Sequence, residues 1–386
     1  MATDQSDTHT EHSWDQAREL AYSLVEVGHL EATPVQTCDK RVCAENLVAL
    51  TDLPFADSSS MDGWAVNGSG PWTLTEADQL EVNQAHVVTT GAPLPQGAQS
   101  IVRTERGTLT GNALTSDNAS TDDIRTAGEE CAVGELLCIP GVTLNPALIG
   151  LLAATGHDRI NVFARPRVHI IITGDELLTS GLPTRVQVRD SLGPQIPMWL
   201  QRMGAQVLPV LYITDDPNEI SRAIIDSEAD IVVTTGGTAA SAKDHFFSAI
   251  ALAHGRVVIN GVAVRPGHPM KLAVVNDSAD RKVPVVGLPG NPLAAIVALA
   301  TFVQPLINKL LGQQLQPFDS MTTSTPLKGD ASGTRLVPGS ISNAGFTPAE
   351  FSGSAMLRGL STSTGFAIVT HAVSAGDRVD FLPLPI

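Results

Sequence analysis

Two kinds of residue in this chain are spaced to do chemistry: carboxylates that follow apolar runs, and glycines that let a backbone come close to a ligand. They concentrate at four places. IITGDELLTSG (171–181) leaves an apolar run through Gly174, Asp175 and Glu176. Paired carboxylates repel a phosphate, so their use would be to hold Mg²⁺ or to accept from ligand N–H and O–H groups; capping the next element is the competing use. ITDDP (213–217) offers Asp215, against an Asx turn and helix N-cap. TTGGTAASAKDH (234–245) sets Gly236 and Gly237 after another apolar run, where backbone amides can approach an anion; it has no Lys-Ser or Lys-Thr pair and so is no Walker loop. VGLPGNP (286–292) brings Pro289, Gly290 and Asn291 to a helix start, whose free N–H groups can receive a phosphate, although the spaced glycines of a dinucleotide fingerprint are missing.

The basic groups near these junctions are Arg185, Arg189, Lys243, Arg265 and Lys271. Arg265, in VRPGHPMK, is the best placed for a phosphate, and His268 reads as a polar rim residue rather than a general base. Carboxylates suited to a divalent ion, together with glycine turns suited to phosphate, predict phosphoryl or nucleotidyl chemistry, in which positioning and charge neutralisation dominate. No GxSxG or Ser-x-x-Lys points to covalent acyl chemistry. A further stretch, FADSSSMDGWAV (55–66), gathers hydroxyls, an acid and a glycine away from any helical pattern; on its own it is a polar turn leading into a strand.

The elements that must position these groups follow from periodicity. Trp14, Ala17, Leu20, Ala21 and Leu24 form an apolar stripe at helical spacing, with Ser13 as N-cap and Gly28 as stop, after a disordered leader at 1–12. From 31 to 165, short β-prone pieces such as HVVT, SIVRTE and ELLCIP alternate with turn residues, and ALIGLLAA (147–154) reads as a helix. From Pro166 to Leu311 strands and helices alternate. RVHIIITG, QVLPVLYI, DIVVTTGG and VPVVGLPG read as strands. DSLGPQIPMWLQRMG (with an awkward Pro197), PNEISRAIIDSEA, DHFFSAIALAHG and NPLAAIVALATFVQPLINKLL read as helices. Near-continuous β-branched runs predict strands covered on both faces, hence a mostly parallel α/β domain with ligands at the carboxyl ends of its strands. The tail returns to short β pieces.

Composition narrows the function classes. The 386 residues carry a formal charge of -16, which argues against nucleic-acid or anionic-membrane partners. Four cysteines at 38, 43, 131 and 138 lie in no zinc spacing and read as free thiols of a reducing compartment, with a single bridge as the alternative. With no basic segment ahead of an apolar run, and no run of 18 apolar residues, the expected location is cytoplasmic.

Taken in order, LPFADSSSMDGWAV (53–66), TGAPLPQGA (90–98), IRTAGEE (124–130), RPRVHIIITGDELL (165–178), ITDDP, TTGG with KDH, VAVRPGHP (262–269) and GLPGNPLAA (287–295) resemble the molybdopterin molybdenumtransferase family, which includes the bacterial molybdenum-insertion enzyme and the C-terminal domain of gephyrin. A weaker echo continues in FSGSAMLRGLSTSTGFAIV and SAGDRVDF. The resemblance implies a multidomain α/β and β chain. An extended N-terminal region (13–51 with 140–165) would carry an inserted β domain (52–139). A central α/β domain of the molybdopterin-binding type (166–312) and a C-terminal β-barrel-like domain (313–386) would follow. It further implies a homodimer whose shared active site takes adenylylated molybdopterin and molybdate, assisted by Mg²⁺, and releases AMP in molybdenum cofactor biosynthesis.

Residue by residue, the resemblance places Asp62 and Thr90 on the partner's side of the cleft, with Glu130 where the family has Asp. Glu176, Asp215 and Asp244 would be the acids of the α/β side, so that Glu176, Asp215, Asp244 and Asp62 would act in catalysis and Glu176, Asp244 and Glu130 would hold the metal. Thr90, Gly174, Asp175, Asp190, Ser191, Gly236, Gly237, Arg265, Pro289, Gly290 and Asn291 would bind the pterin nucleotide. In this reading the 55–66 loop offers Asp62 and nearby hydroxyls to the site. The chain departs from the family where GGTAAS (236–241) replaces GGVSVG, where Leu192 replaces an amide, and where Gly261 or its neighbour Asn260, Arg265 and His268 stand in lysine positions. The lost donors leave a non-catalytic molybdopterin-binding or scaffold relative as the alternative.

Overall fold

The computed structural model describes residues 11–236, 245–277, 280–331 and 333–385. Gly237 and Asp244, and all but the last two residues of the expected leader, lie outside the described residues. The chain forms two compact units, one of Met1–Leu30 with Phe163–Ile386, the other of Glu31–Val162.

In the first unit, Ser13 caps the helix Trp14–Ser23 through a reciprocal pair: the Gln16 amide donates to Ser13 Oγ and the Ser13 amide to Gln16 Oε1. Trp14, Ala17 and Ala21 are buried, and Trp14 Nε1 donates to Thr301 Oγ1 at 2.9 Å. The helix ends well before Gly28, contrary to the sequence expectation. Gly28 is needed for close approach instead, because a Cβ there would stand 2.6 Å from the Leu310 carbonyl oxygen that its amide bonds.

The central sheet runs 206–207 and 211–213, 167–173, 231–235, 282–288, 271–276, 256–260 across its width. The first four positions are parallel, 271–276 runs antiparallel to them, and 256–260 is antiparallel in turn to 271–276. Val168, Ile170, Ile171, Ile172, Val232 and Val233 are buried, as β-branched runs between two helical layers require. QVLPVLYI is not one strand. Pro209, which has no N–H, splits it into Gln206–Val207 and Leu211–Ile213, both paired to Arg167–Thr173. Pro197 sits in the first turn of a helix shortened to Ile196–Arg202, where its missing donor costs nothing. The long helix Pro292–Leu310 contains a π turn at Leu299–Val303, just ahead of Pro305. Among the described residues it is the helix long and apolar enough to cross a membrane, yet 83% of its 18-residue window is buried in the unit.

The tail strands 334–342, 365–369, 378–383 and 319–322 form a second sheet, with 345–348 paired to 334–342. Val262–Arg265 and His12–Ser13 extend it in parallel, so a strand from the α/β segment carries Arg265 next to the tail. Phe346, Val369, Val379 and Phe381 fill its core.

The second unit holds a six-stranded sheet in the order 100–103, 63–66, 84–88, 72–74, 113–115, 108–110. Beside it, a core of Cys38, Cys43, Cys138, Leu144 and Leu152 packs under the helix Pro146–Ala154. All four cysteines are free thiols and buried.

Candidate functional site

The strand order places a topological switch point in the first unit. The chain leaves Arg167–Thr173 toward 206–213 on one side and returns to Ile231–Thr235 on the other, opening a crevice at the carboxyl ends of these strands. Thr173 and Thr235 tie the two exits together. Thr173 Oγ1 donates to the Thr235 carbonyl at 2.7 Å, and Gly236 (φ +79°) follows so closely that a Cβ would lie 3.0 Å from Thr173 Oγ1. Neither threonine was singled out in the sequence, where both read as interior strand residues.

Asp175 and Asp215 meet across this crevice. Each carboxylate accepts the other's backbone amide, at 3.4 Å in both directions. The tandem acids of ITDDP divide their work. Asp216 is the N-cap, its carboxylate accepting the amide and side chain of Asn218, which hold its pKa below the usual range; Asp215 is left to face Asp175. Glu176 is exposed, with Oε1 3.4 Å from the point a Cβ on Gly174 would occupy. Gly174 itself (φ +138°) cannot carry a side chain, since Leu177 Cγ would stand 2.9 Å away.

Asp190 is buried. Its Oδ1 accepts the amides of Leu192 and Gly193, at 2.9 and 3.0 Å, and its Oδ2 accepts the Tyr212 hydroxyl at 2.9 Å. Burial and the adjacent carboxylate push the Tyr212 pKa up to about 12, so its hydroxyl stays a donor. Asp190 thus shapes the 190–193 turn, while Ser191 directs its carbonyl to Gln195 Nε2.

The junction at 286–292 differs from its expected use. The Leu293 and Ala294 amides, expected to be free for a phosphate, donate to the Ser354 carbonyl at 3.0 and 3.3 Å. Gly290 meets nothing within 4 Å of a built Cβ. What the junction does instead is form one side of a cavity of about 490 Å³ whose lining includes Pro289, Asn291, Arg265, His268, Arg335 and Ser354. Arg265 Nε pairs with Asp330 Oδ2 at 3.2 Å, and Asn291 Nδ2 donates to Ser354 Oγ at 3.5 Å. His268 is an exposed rim residue whose Nδ1 lies 3.1 Å from Glu11 Oε1. Arg335 and Ser354 were missed in the sequence; for Ser354 the signal was the FSGSAMLRGL stretch of the tail, whereas nothing around Arg335 marked it.

In the second unit three loops converge on 55–66. The strand pair Ser58–Ser59 with Ile124–Arg125 joins the first to IRTAGEE, and the Ala127 amide donates to Asp57 Oδ1 at 2.8 Å. The Gly91 amide donates to the Ser59 carbonyl and the Leu94 amide to the Asp57 carbonyl, fastening TGAPLPQGA. Asp62 Oδ1 accepts the Thr90 amide at 2.7 Å and its hydroxyl at 3.1 Å, so the structure brings these two predicted site residues together. Two serine hydroxyls are not offered to a ligand as expected. Ser59 Oγ donates to the Met61 carbonyl at 2.5 Å and Ser60 Oγ to the Asp123 carbonyl at 3.0 Å, so both staple the loop to its surroundings. Gly63 is required because a Cβ would stand 2.0 Å from the Val102 carbonyl oxygen. Asp123, itself buried, takes both Arg103 nitrogens at 2.8 and 2.7 Å, which lowers its pKa. Glu130 is exposed, its amide bonded to the Leu53 carbonyl.

No group of three or more His, Cys, Asp or Glu able to hold a metal occurs among the described residues. Of the expected set, Glu176 belongs to the first unit and Glu130 to the second, and Asp244 lies outside the described residues. The Asp175–Asp215 pair still fits Mg²⁺, which binds through one or two carboxylates and completes its shell with water and phosphate oxygens.

Comparison with known proteins gives these halves a common context. The family model described as the MoeA N-terminal region (domain I and II) matches residues 12–156, and that of a probable molybdopterin binding domain matches 169–309. The molybdopterin molybdenumtransferase of Haemophilus influenzae is 30% identical over 323 residues, covering 78% of each chain. Molybdopterin molybdenumtransferase 2 of Mycobacterium tuberculosis is 31% identical over 309 residues, covering 72% of this chain and 75% of its own. The solved molybdopterin biosynthesis MoeA protein of Pyrococcus horikoshii shares the fold, with a TM-score of 0.79 at 21% identity over 98% of this chain and 100% of that one.

Proposed function

The chain belongs to the molybdopterin molybdenumtransferase family, enzymes of molybdenum cofactor biosynthesis, and from that premise we propose that it inserts molybdate into adenylylated molybdopterin and releases AMP. The observation that carries this reading is the cavity of about 490 Å³ with Arg265, Arg335 and Ser354 on its walls, opening at the same sheet edge as the acidic switch-point crevice. One sign of charge suits an oxyanion and the other a cation. Molybdate and the pterin's phosphate require both in one place.

The residues then take distinct parts. Arg265 and Arg335 hold the oxyanion, with the Ser354 and Asn291 side chains as neutral hydrogen-bonding partners. The Gly174 and Gly236 turns let backbone approach the nucleotide, and the Thr173–Thr235 bond keeps the two turns at fixed spacing. Asp175 and Asp215 hold Mg²⁺, which neutralises phosphate charge when bound. Glu176 accepts from, and orients, the water or hydroxyl that meets the pyrophosphate link. Asp190 acts at one remove by holding the 190–193 turn.

The 55–66 loop completes the site from a second copy of the chain in a homodimer, with Asp62 set by Thr90 and with Glu130 on the adjoining loop. The reaction runs in the cytoplasm, where pterin nucleotide and molybdate are both soluble substrates.

Incubating the protein with adenylylated molybdopterin and Mg²⁺, with and without molybdate, tests the reading. AMP release that depends on molybdate is expected; tight pterin binding without turnover would leave a binding module instead.

A further inference from the structure

His268 stands on the rim of the arginine-lined cavity with one ring nitrogen engaged and the other open. It lies in the turn after the strand Val262–Arg265, and that turn folds back onto the first residue of the strand. The Val262 amide donates to the His268 carbonyl at 3.0 Å, and His268 Nδ1 lies 3.0 Å from the Val262 carbonyl oxygen. Glu11 Oε1 is 3.1 Å from the same nitrogen.

Both neighbours of Nδ1 can only accept, since a carbonyl oxygen has no proton to give and an ionised carboxylate has none either. Nδ1 therefore carries a proton in the neutral ring as well as in the imidazolium, and Nε2 is the atom that gains or loses one. Nε2 has no partner among the described residues. Gly261 beside it, at φ +92°, puts no side chain against the ring.

What Nε2 presents to an anion is thus set by pH. Unprotonated, it offers a lone pair that repels an oxyanion; protonated, it donates a hydrogen bond and adds a positive charge. The charged groups around the ring pull both ways. Glu11 favours the imidazolium, whereas Arg265 on the same strand and Arg335, its register partner on the tail strand, oppose it, and Asp330 is paired to Arg265. Two like charges in register repel each other as well as a third. An anion among them removes that opposition, so anion and proton each favour the binding of the other. His12, opposite Val262 in the parallel pair, is a second imidazole on the adjoining segment.

We propose that His268 couples oxyanion binding to proton uptake: the cavity takes its anion together with a proton at Nε2, so affinity rises as pH falls. This rests on the cavity being the oxyanion site of the proposed transferase, and it is tested by binding rather than turnover. Molybdate, a dianion throughout, is titrated calorimetrically at about pH 6 and about pH 8, on either side of the ordinary imidazole value of about 6.5. Buffers of different ionisation enthalpy report the protons taken up. Wild type, H268Q, H268K and H12Q are compared, with thermal unfolding as the check on fold.

The expected result is wild-type affinity about tenfold or more lower at the higher pH, with a proton taken up on binding. H268Q, which cannot titrate, should bind equally at both. H268K keeps its charge and should bind at both pH values about as wild type does at the lower one, while H12Q should keep the wild-type dependence. If H268Q does not fold, H268N replaces it. Equal wild-type affinity at both pH values overturns the proposal. So does a pH dependence retained in H268Q or lost in H12Q, either of which assigns the proton to another group. Wild type that binds no molybdate removes the oxyanion site itself, and the linkage with it.

Discussion

The Asp62 carboxylate accepts both the amide and the hydroxyl of Thr90, 28 positions along the chain, through a single oxygen. Its second oxygen has no such partner among the described residues, and the residue is exposed. D62N keeps an acceptor for the Thr90 amide but loses the charge, so the loop should persist while chemistry suffers. AMP release is expected to fall about 100-fold or more, with the thermal midpoint nearly unchanged. Full activity in D62N would remove Asp62 from the site.

If each site draws Asp62 from one copy and Glu176 from the other, two inactive variants can rescue each other. A mixed dimer of D62N and E176Q chains would hold one doubly altered site and one intact site. Purified by two different tags, it is expected to recover about half the wild-type rate. No recovery would show that the two residues serve within a single chain.

The acids of the α/β edge are separable by metal dependence. D215N removes half of the Asp175–Asp215 pair, so half-maximal AMP release should require more Mg²⁺, by about tenfold. E176Q and D244N are expected to abolish release almost entirely at any Mg²⁺, with far-ultraviolet circular dichroism unchanged. A normal Mg²⁺ titration in D215N would assign the metal elsewhere.

Molybdate should report on Arg335. R335A widens the cavity and removes a cation, which is expected to raise the molybdate concentration for half-maximal turnover about tenfold or more, leaving AMP affinity alone. R265K, which keeps the charge near Asp330 but not the guanidinium fork, should be affected less than R265A. If R335A changes AMP binding and not molybdate dependence, the cavity has the other ligand.

The Asp123–Arg103 pair gives stability a pH dependence of known sign. Hydrogen bonds from Arg103 hold the folded carboxyl below its ordinary value of 3.8. Its contribution is therefore fully present above that value and is lost as pH falls through the folded pKa. Wild type should exceed D123N in urea midpoint at neutral pH, and the gap should close as the pH is taken below 3.8. A constant gap across that range would assign the effect to packing.

Much of this was legible along the chain because it is local. Apolar runs of β-branched residues specify strands buried on both faces, Ser13 ahead of the apolar stripe specifies a helix start, and Pro217 a first turn; none of these needs a distant partner. ITDDP offered Asp215 as an acid with a cap as the competing use; that Asp216 takes the cap and Asp215 faces Asp175 depended on the Asn218 amide and on Asp175 across the crevice. Family motifs pointed to the same edge because motif residues there are contiguous.

What required tertiary structure was every pairing across sequence distance. Pro209 breaks a strand whose two halves find the same neighbour, and Gly28 is set by a carbonyl at Leu310. The helix amides at 293 and 294 are consumed by Ser354, and the cavity beside them is lined by Arg265 and Arg335 from two different strands. By itself the sequence settled the type of the longer strands and helices of the α/β segment and the family, because hydrophobic period, turn chemistry and motif order are properties of neighbouring residues. Which polar groups remain unspent was decided only by folding, since a hydrogen bond or charge is used up by whatever the chain brings against it.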